Sequence, residues 1–149
     1  MTTIRPIAPT DRAEWLRMRL ALWPGEADAH KPDIDLFFAG ENALLEQIWV
    51  AEEGDGENLV GFIELALRPY AEGCEASPVP FIEGWYVDEA HRQRGVGAQL
   101  VAAAEHWARE AGYQEMGSDT ESFNALSITA HQALGFEVVE EITCFRKAL

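Results

Sequence analysis

The sequence predicts one α/β domain, a mixed sheet flanked by helices. Three observations predict it. Apolar residues switch between strand and helix periods along all 149 residues. A glycine-bearing turn stands between an apolar strand and a long helix. No repeat or low-complexity segment interrupts the order. A chain of this length is an ordinary single domain, expected to span 1–149. It buries roughly 68–70% of its unfolded surface without staples.

Ile4 to Ile7 reads as a first strand. A helix starts near Pro9-Thr10-Asp11, with Asp11 and Glu14 spaced as a capping box. Trp15, Met18 and Leu22, with Leu16 and Leu20, form its apolar face, and Pro24-Gly25 stops it. A second helix is expected from about Asp33 to Gln47, with Leu36, Phe37, Leu44 and Ile48 inward and Gly40 inside it. Ile48–Glu52 and Leu59–Leu67 are hairpin strands around the turn Gly54-Asp55-Gly56-Glu57-Asn58. A loop from Pro69 to Pro80 holds Tyr70, Gly73 and Cys74. Phe81–Val87 is the next strand, followed by a helix from Ala98 to about Ala111 that Gly112 closes. A short strand is expected near Met116, with Phe123 anchoring the loop after it to the core. Ala125–Leu134 forms a helix stopped by Gly135, and Val138–Arg146 the last strand.

Acidic residues number 26 and basic ones 11, a formal net charge of −15. Such a field disfavours nucleic acid and anionic membrane as partners and attracts cations. Solubility alone also accounts for it, unless carboxylates gather at a site. No apolar run approaches the ~18 residues of a membrane span, and Met1–Arg5 lacks the apolar core of a secretory signal. A cytoplasmic location is expected. Two cysteines, Cys74 and Cys144, set no disulfide framework. Four scattered histidines show no zinc spacing, so no metal is expected.

The sharpest local signal is Arg92-Gln93-Arg94-Gly95-Val96-Gly97, after a strand and before the helix at Ala98. Glycines let successive backbone N–H groups converge on one concavity, and the helix N-terminus adds partial positive charge. Together they make an anion site suited to a pyrophosphate. The spacing is neither that of a P-loop nor that of a Rossmann turn.

This turn resembles the [Q/R]-x-x-G-x-[G/A] signature of the GNAT superfamily of N-acetyltransferases. Asn124, Ser127, His131, Gly135 and Phe136 keep the spacing of that superfamily's second signature. The resemblance implies a mostly antiparallel mixed sheet with a splayed strand pair, and acetyl-CoA as co-substrate. It places the pyrophosphate on the turn of Gln93, Arg94, Gly95, Val96, Gly97 and Ala98, with Arg92 beside it as a further cofactor-binding residue. It runs the pantetheine along Trp85, Tyr86 and Val87 and sets Asn124 on the cofactor arm. His131 stands where many members carry a tyrosine that protonates the leaving thiolate; a proton donor and a helix-packing histidine are both open readings.

Three segments resemble bacterial aminoglycoside 6′-N-acetyltransferases more closely. They are Leu22-Trp23-Pro24-Gly25, the stretch from Gly73 through Val79 to Phe81-Ile82-Glu83-Gly84, and Ser118-Asp119-Thr120 followed by His131–Phe136. This resemblance implies an acceptor site of Trp23, Tyr70, Glu83, Asp119 and Glu140, and a homodimer; the expected C-terminal strand Val138–Arg146 is a candidate part of its interface. A polycationic sugar needs such carboxylates and an aromatic wall. Glu75, Glu137 and Glu141 lie nearby in sequence. Each residue also has a plainer reading: Trp23 as core, Asp119 as a turn cap, Glu140 as a polar strand position. Glu83 is the odd carboxylate in an apolar strand, and Gly84 beside it permits a bulge or the close approach of a ligand.

The implied reaction is direct attack of an amine on the thioester of acetyl-CoA. At a lysine-like pKa of ~10.4, less than ~10⁻³ of the amine is nucleophilic at neutral pH, a cost of about 4–5 kcal/mol. Glu83 is the candidate base, through water, with Asp119 orienting the acceptor. Backbone N–H groups near Tyr86 and Val87 are the candidate oxyanion donors. Nothing marks Cys74 as an activated thiolate. A polyamine acetyltransferase and a non-catalytic protein binding cations or acyl-CoA are the alternatives.

Overall fold

The computed structural model describes residues 1–54, 56 and 58–149. Its strands are β1 (Thr2–Pro6), β2 (Leu45–Glu53), β3 (Asn58–Arg68), β4 (Val79–Val87) and β5 (Gly117–Ser118), and its α-helices are α1 (Arg12–Leu22), α2 (Ala27–Ala39), α3 (Val96–Glu110) and α4 (Ala125–Ala133). The sheet order is β1-β2-β3-β4-β5. The first four strands run antiparallel, and β5 pairs with β4 in parallel, through Phe81 with Gly117 and Ile82 with Ser118. Among the described residues, no helix is long and apolar enough to cross a membrane.

Alternation along β2 and β3 sends side chains to two cores. Trp49, Ala51, Ile63 and Leu65 meet Leu100, Val101 and Ala104 of α3 on one face. Ile48, Val50 and Phe62 meet Trp15 and Met18 of α1 and Ile34 of α2 on the other. Each fully buried side chain of this size contributes about 1.5–3 kcal/mol.

Two features of β4 position the site. Glu64 of β3 pairs with Gly84 and Leu65 with Ile82, so Glu83 has no opposite residue and occupies a bulge. Beyond Ile82, the edge of β4 that faces β5 has no ladder partner among the described residues. That opening is the splayed pair the family resemblance implies.

The structure corrects several expected elements. The second helix runs over Ala27–Ala39, not 33–47, because Gly40 takes a left-handed cap at φ 74° and β2 begins at Leu45. Asp11 and Glu14 do not form a capping box. A 3₁₀ turn at Pro9–Asp11 precedes α1, and the Asp11 carboxylate accepts from the Ala8 N–H (2.8 Å) and from Arg5 (2.7 Å). Phe123 does not anchor its loop; it is 85% exposed. The last strand is also absent: residues 137–149 form no ladder, since no strand among the described residues pairs with them. The turn expected at Gly54–Asn58 involves residues 55 and 57, which lie outside the described residues.

Candidate active site

The expected cofactor side is built from backbone. Gln93 (φ 61°) and Gly95 (φ 81°) both sit in the left-handed region, and α3 starts at Val96 directly after them. Left-handed residues around a helix start turn consecutive N–H groups toward one point. Residues 92–95 are exposed. The Arg92 guanidinium donates to the Val87 carbonyl (2.9 Å) and lies over the Tyr86 ring (5.9 Å), tying the turn to the end of β4. The Arg94 side chain is free to face solvent. The Trp85 indole donates to the Gly97 carbonyl (3.2 Å), and a Cβ on Gly97 would meet that ring at 3.1 Å. Packing therefore takes the Trp85 side chain and leaves its backbone, with those of Tyr86 and Val87, along the unpaired edge of β4. Ala98 lies exposed in the first turn of α3.

Asn124 and His131 are engaged within the protein. The Asn124 Oδ1 accepts from the Ser127 N–H (3.1 Å) and caps α4, leaving its amide N–H₂ for other partners. His131 Nδ1 donates to the Ser127 carbonyl (2.7 Å), and Nε2 accepts from the Ser118 hydroxyl (2.8 Å). Its ring stands edge-on to Trp85 and Phe136. These contacts hold the ring in place between Trp85 and Phe136.

The expected acceptor side is built from side chains. An open pocket of about 230 Å³ is lined by Trp23, Glu83, Glu64, Arg19, Asp33 and Asn42 among others. Trp23 closes α1, with its N–H on the Arg19 carbonyl (2.7 Å) and its indole stacked on His30 at an interplanar angle of 14°. A Cβ on Gly84 would lie 2.7 Å from the Trp23 ring, so only glycine lets Trp23 settle on β4 beside Glu83. The fully buried Glu64 accepts from the Trp15 indole (2.9 Å) and pairs with Arg19 Nε (2.7 Å). Arg19 also faces the Trp15 and Trp23 rings at 5.5 and 5.3 Å. Burial pushes the Glu64 carboxyl above the usual range, and Arg19 opposes that shift.

Arg68 holds Glu83 by two parallel bonds, Nε to Oε1 (2.6 Å) and Nη2 to Oε2 (2.8 Å). Asp119, just past β5, lies within reach of the same charges. Desolvation pushes its carboxyl up, Arg68 pulls it down, and Glu83, Glu72 and Glu121 push it up again. Tyr70 is 65% exposed on the loop after β3. Glu140 is exposed on the C-terminal segment and is not among the residues lining the pocket. The structure thus brings Trp23 and Glu83 together, with Asp119 sensing Glu83, and leaves Glu140 apart. Burial and the nearby Glu115 and Glu72 push the Cys74 thiol up, against a nucleophilic thiolate.

Residues 12–136 match the model of the acetyltransferase (GNAT) family. The chain belongs to the GNAT family. It is 48% identical to an aminoglycoside N(6′)-acetyltransferase type 1 of Klebsiella aerogenes over 98% of this chain and 96% of that protein. A protein of the same name from Stenotrophomonas maltophilia is 40% identical, covering 99% of this chain and 94% of that protein. The solved structure of AAC(6′)-Iy with the bisubstrate analog CoA-S-monomethyl-acetylneamine superposes at a TM-score of 0.89. It shares 38% identity and covers 100% of this chain and 99% of that one.

In this GNAT domain the sequence reading misses Arg19, Glu64 and Arg68. Glu64 carries the same signal as Glu83, a carboxylate inside an apolar strand. Arg19 sits between Met18 and Leu20 and is buried on a helix whose inward face reads as apolar. Arg68, at the end of β3, has no local signal; its role depends on the bulge that turns Glu83 toward it.

Proposed function

We infer that this GNAT chain, acting as one acetyltransferase domain over 1–149, acetylates the 6′-amine of aminoglycosides from acetyl-CoA and so confers resistance to them. The observation that carries the reading is the position of Glu83. The bulge sets it where the acidic, aromatic pocket meets the opened edge of β4, so one carboxylate borders both substrate sides.

The residues fit acetyl-CoA. Backbone N–H groups of the turn from Arg92 to Ala98 hold the pyrophosphate, and the arginines add charge. The edge formed by Trp85, Tyr86 and Val87 offers ladder hydrogen bonds to an amide-bearing pantetheine arm. The Asn124 amide supports that arm. The co-substrate supplies the thioester carbonyl that the amine attacks, with direct transfer in a ternary complex. Trp23 and Tyr70 pack against sugar rings, and Glu83 and Asp119 bind the ammonium groups. Glu83, through water, takes the proton as the amine becomes nucleophilic. N–H groups near Tyr86 and Val87 steady the developing oxyanion. Holding both substrates in one cleft supplies much of the acceleration.

The acting form in this reading is a cytoplasmic homodimer. Val138, Val139, Ile142 and Phe145, each at least 59% exposed, lie on a C-terminal segment that lacks a strand partner among the described residues. Pairing with a second copy would cover them and bring Glu140 to an acceptor site. Light scattering on a gel-filtration column checks this, and a monomer overturns it.

A thiol-release assay with acetyl-CoA and kanamycin tests the reaction. Release is expected, and is expected to vanish with the analogue carrying a 6′-hydroxyl. Release with spermidine and none with kanamycin would favour a polyamine acceptor.

A further inference from the structure

The Arg68 guanidinium is a cation placed where the acceptor's own cation should bind. It lies 3.8 Å from the centre of the Phe81 ring, which is 1% exposed and cannot retreat. Its two bonds to Glu83 engage both carboxylate oxygens, while a third of its own side chain remains open to solvent. Charges face it from three elements: Glu83 on β4, Asp119 after β5 and Glu72 on the loop after β3. An arginine clamped between an aromatic face and a carboxylate fork does not swing away easily.

Carboxylates alone would bind an ammonium well and make it a poor nucleophile, because they raise its pKa. A fixed positive charge in the same cluster acts in the opposite sense on both counts. We propose that Arg68 is a charge-balancing residue of the acceptor site: it weakens ground-state binding of the ammonium and eases its loss of a proton. The proton leaves nitrogen through water past Glu83 to solvent, and the nitrogen keeps the electron pair that attacks. Arg68 itself exchanges no proton and acts on the reaction through its charge. This proposal rests on the acceptor assignment made above.

The test compares wild type, Arg68→Met and Arg68→Lys with kanamycin over pH 6 to 9.5. Acetyl-CoA affinity, measured by calorimetry, reports that each variant is folded. For Arg68→Met the acceptor KM is expected to fall about three- to tenfold. The pH at which kcat reaches half its maximum should rise by about one unit, with a matching loss of kcat at pH 7. Arg68→Lys keeps the charge and should keep the wild-type pH profile. A rise in KM with an unmoved profile would make Arg68 a structural brace for Glu83 and overturn the proposal. A wild-type enzyme that does not turn over kanamycin would overturn the acceptor assignment instead. Loss of acetyl-CoA affinity in Arg68→Met would move the test to Arg68→Gln, judged by the same two readouts.

Discussion

The proposed donor and acceptor sides of this site are built from different materials. The proposed donor side is one continuous turn, residues 92–98, and the edge of one strand; what it offers a ligand is backbone N–H groups. The acceptor side gathers Trp23 from the end of α1, Glu64 and Arg68 from β3, Glu83 from β4 and Asp119 from beyond β5. A backbone site is set by local conformation and tolerates change in side chains that do not alter φ. A side-chain site depends on tertiary packing, and one lost charge propagates through it.

The largest expected effect breaks the acceptor side alone. Arg19→Met would leave Glu64 buried without its cation and cost about 3–5 kcal/mol of stability, read by urea unfolding. Burial raises the folded-state pKa of Glu64 above its unfolded value, and removing Arg19 raises it further. Between those two values the folded variant binds a proton that the unfolded chain does not. Its stability should therefore fall as pH rises, by up to about 1.4 kcal/mol per unit, and recover as pH drops toward 5. A deficit equal at pH 5 and pH 8 would show that Glu64 does not take up the proton.

Glu83→Gln comes next. It removes the base and one charge but keeps the shape, so kcat/KM should fall about 10²- to 10³-fold with acetyl-CoA affinity unchanged. An activity loss under threefold would move the proton acceptor elsewhere. Gly84→Ala tests the same side through packing. Its new methyl would meet the Trp23 ring at 2.7 Å and Phe62 at 3.2 Å. Overpacking of this kind costs about 1–3 kcal/mol. The acceptor KM should rise while acetyl-CoA binding holds, and equal losses of both would erase the division between the sides.

The two materials also explain what the sequence reveals. The anion turn is legible because its glycines, arginines and helix start are neighbours in the chain. Trp23 and Glu83 are legible through family resemblance, and Glu83 also as a carboxylate in an apolar strand. Arg68 and Arg19 are not, because an arginine's partner is decided by register and helix packing. Alternation across 138–146 reads as a strand, yet a strand needs a neighbour, and none among the described residues supplies it. The second helix begins early and ends at Gly40 because the left-handed cap outweighs apolar periodicity beyond it.

The smallest effects sharpen the donor side, where one turn holds two left-handed residues of different kinds. Gly95→Ala places a Cβ at φ 81°, where sterics cost roughly 1–2 kcal/mol. No backbone crowds that position, the nearest side-chain atom being Gln99 Nε2 at 3.9 Å. The penalty is therefore conformational, and acetyl-CoA affinity should fall about tenfold as the turn relaxes. Gln93→Gly does the reverse at φ 61°. It releases strain in the fold while adding freedom to the unfolded chain, so stability should rise by only about 0.5 kcal/mol. Acetyl-CoA affinity should stay within twofold if the N–H groups, rather than the Gln93 side chain, hold the pyrophosphate. A tenfold loss in Gln93→Gly would instead give that side chain a direct contact, and the donor side would no longer be a backbone site.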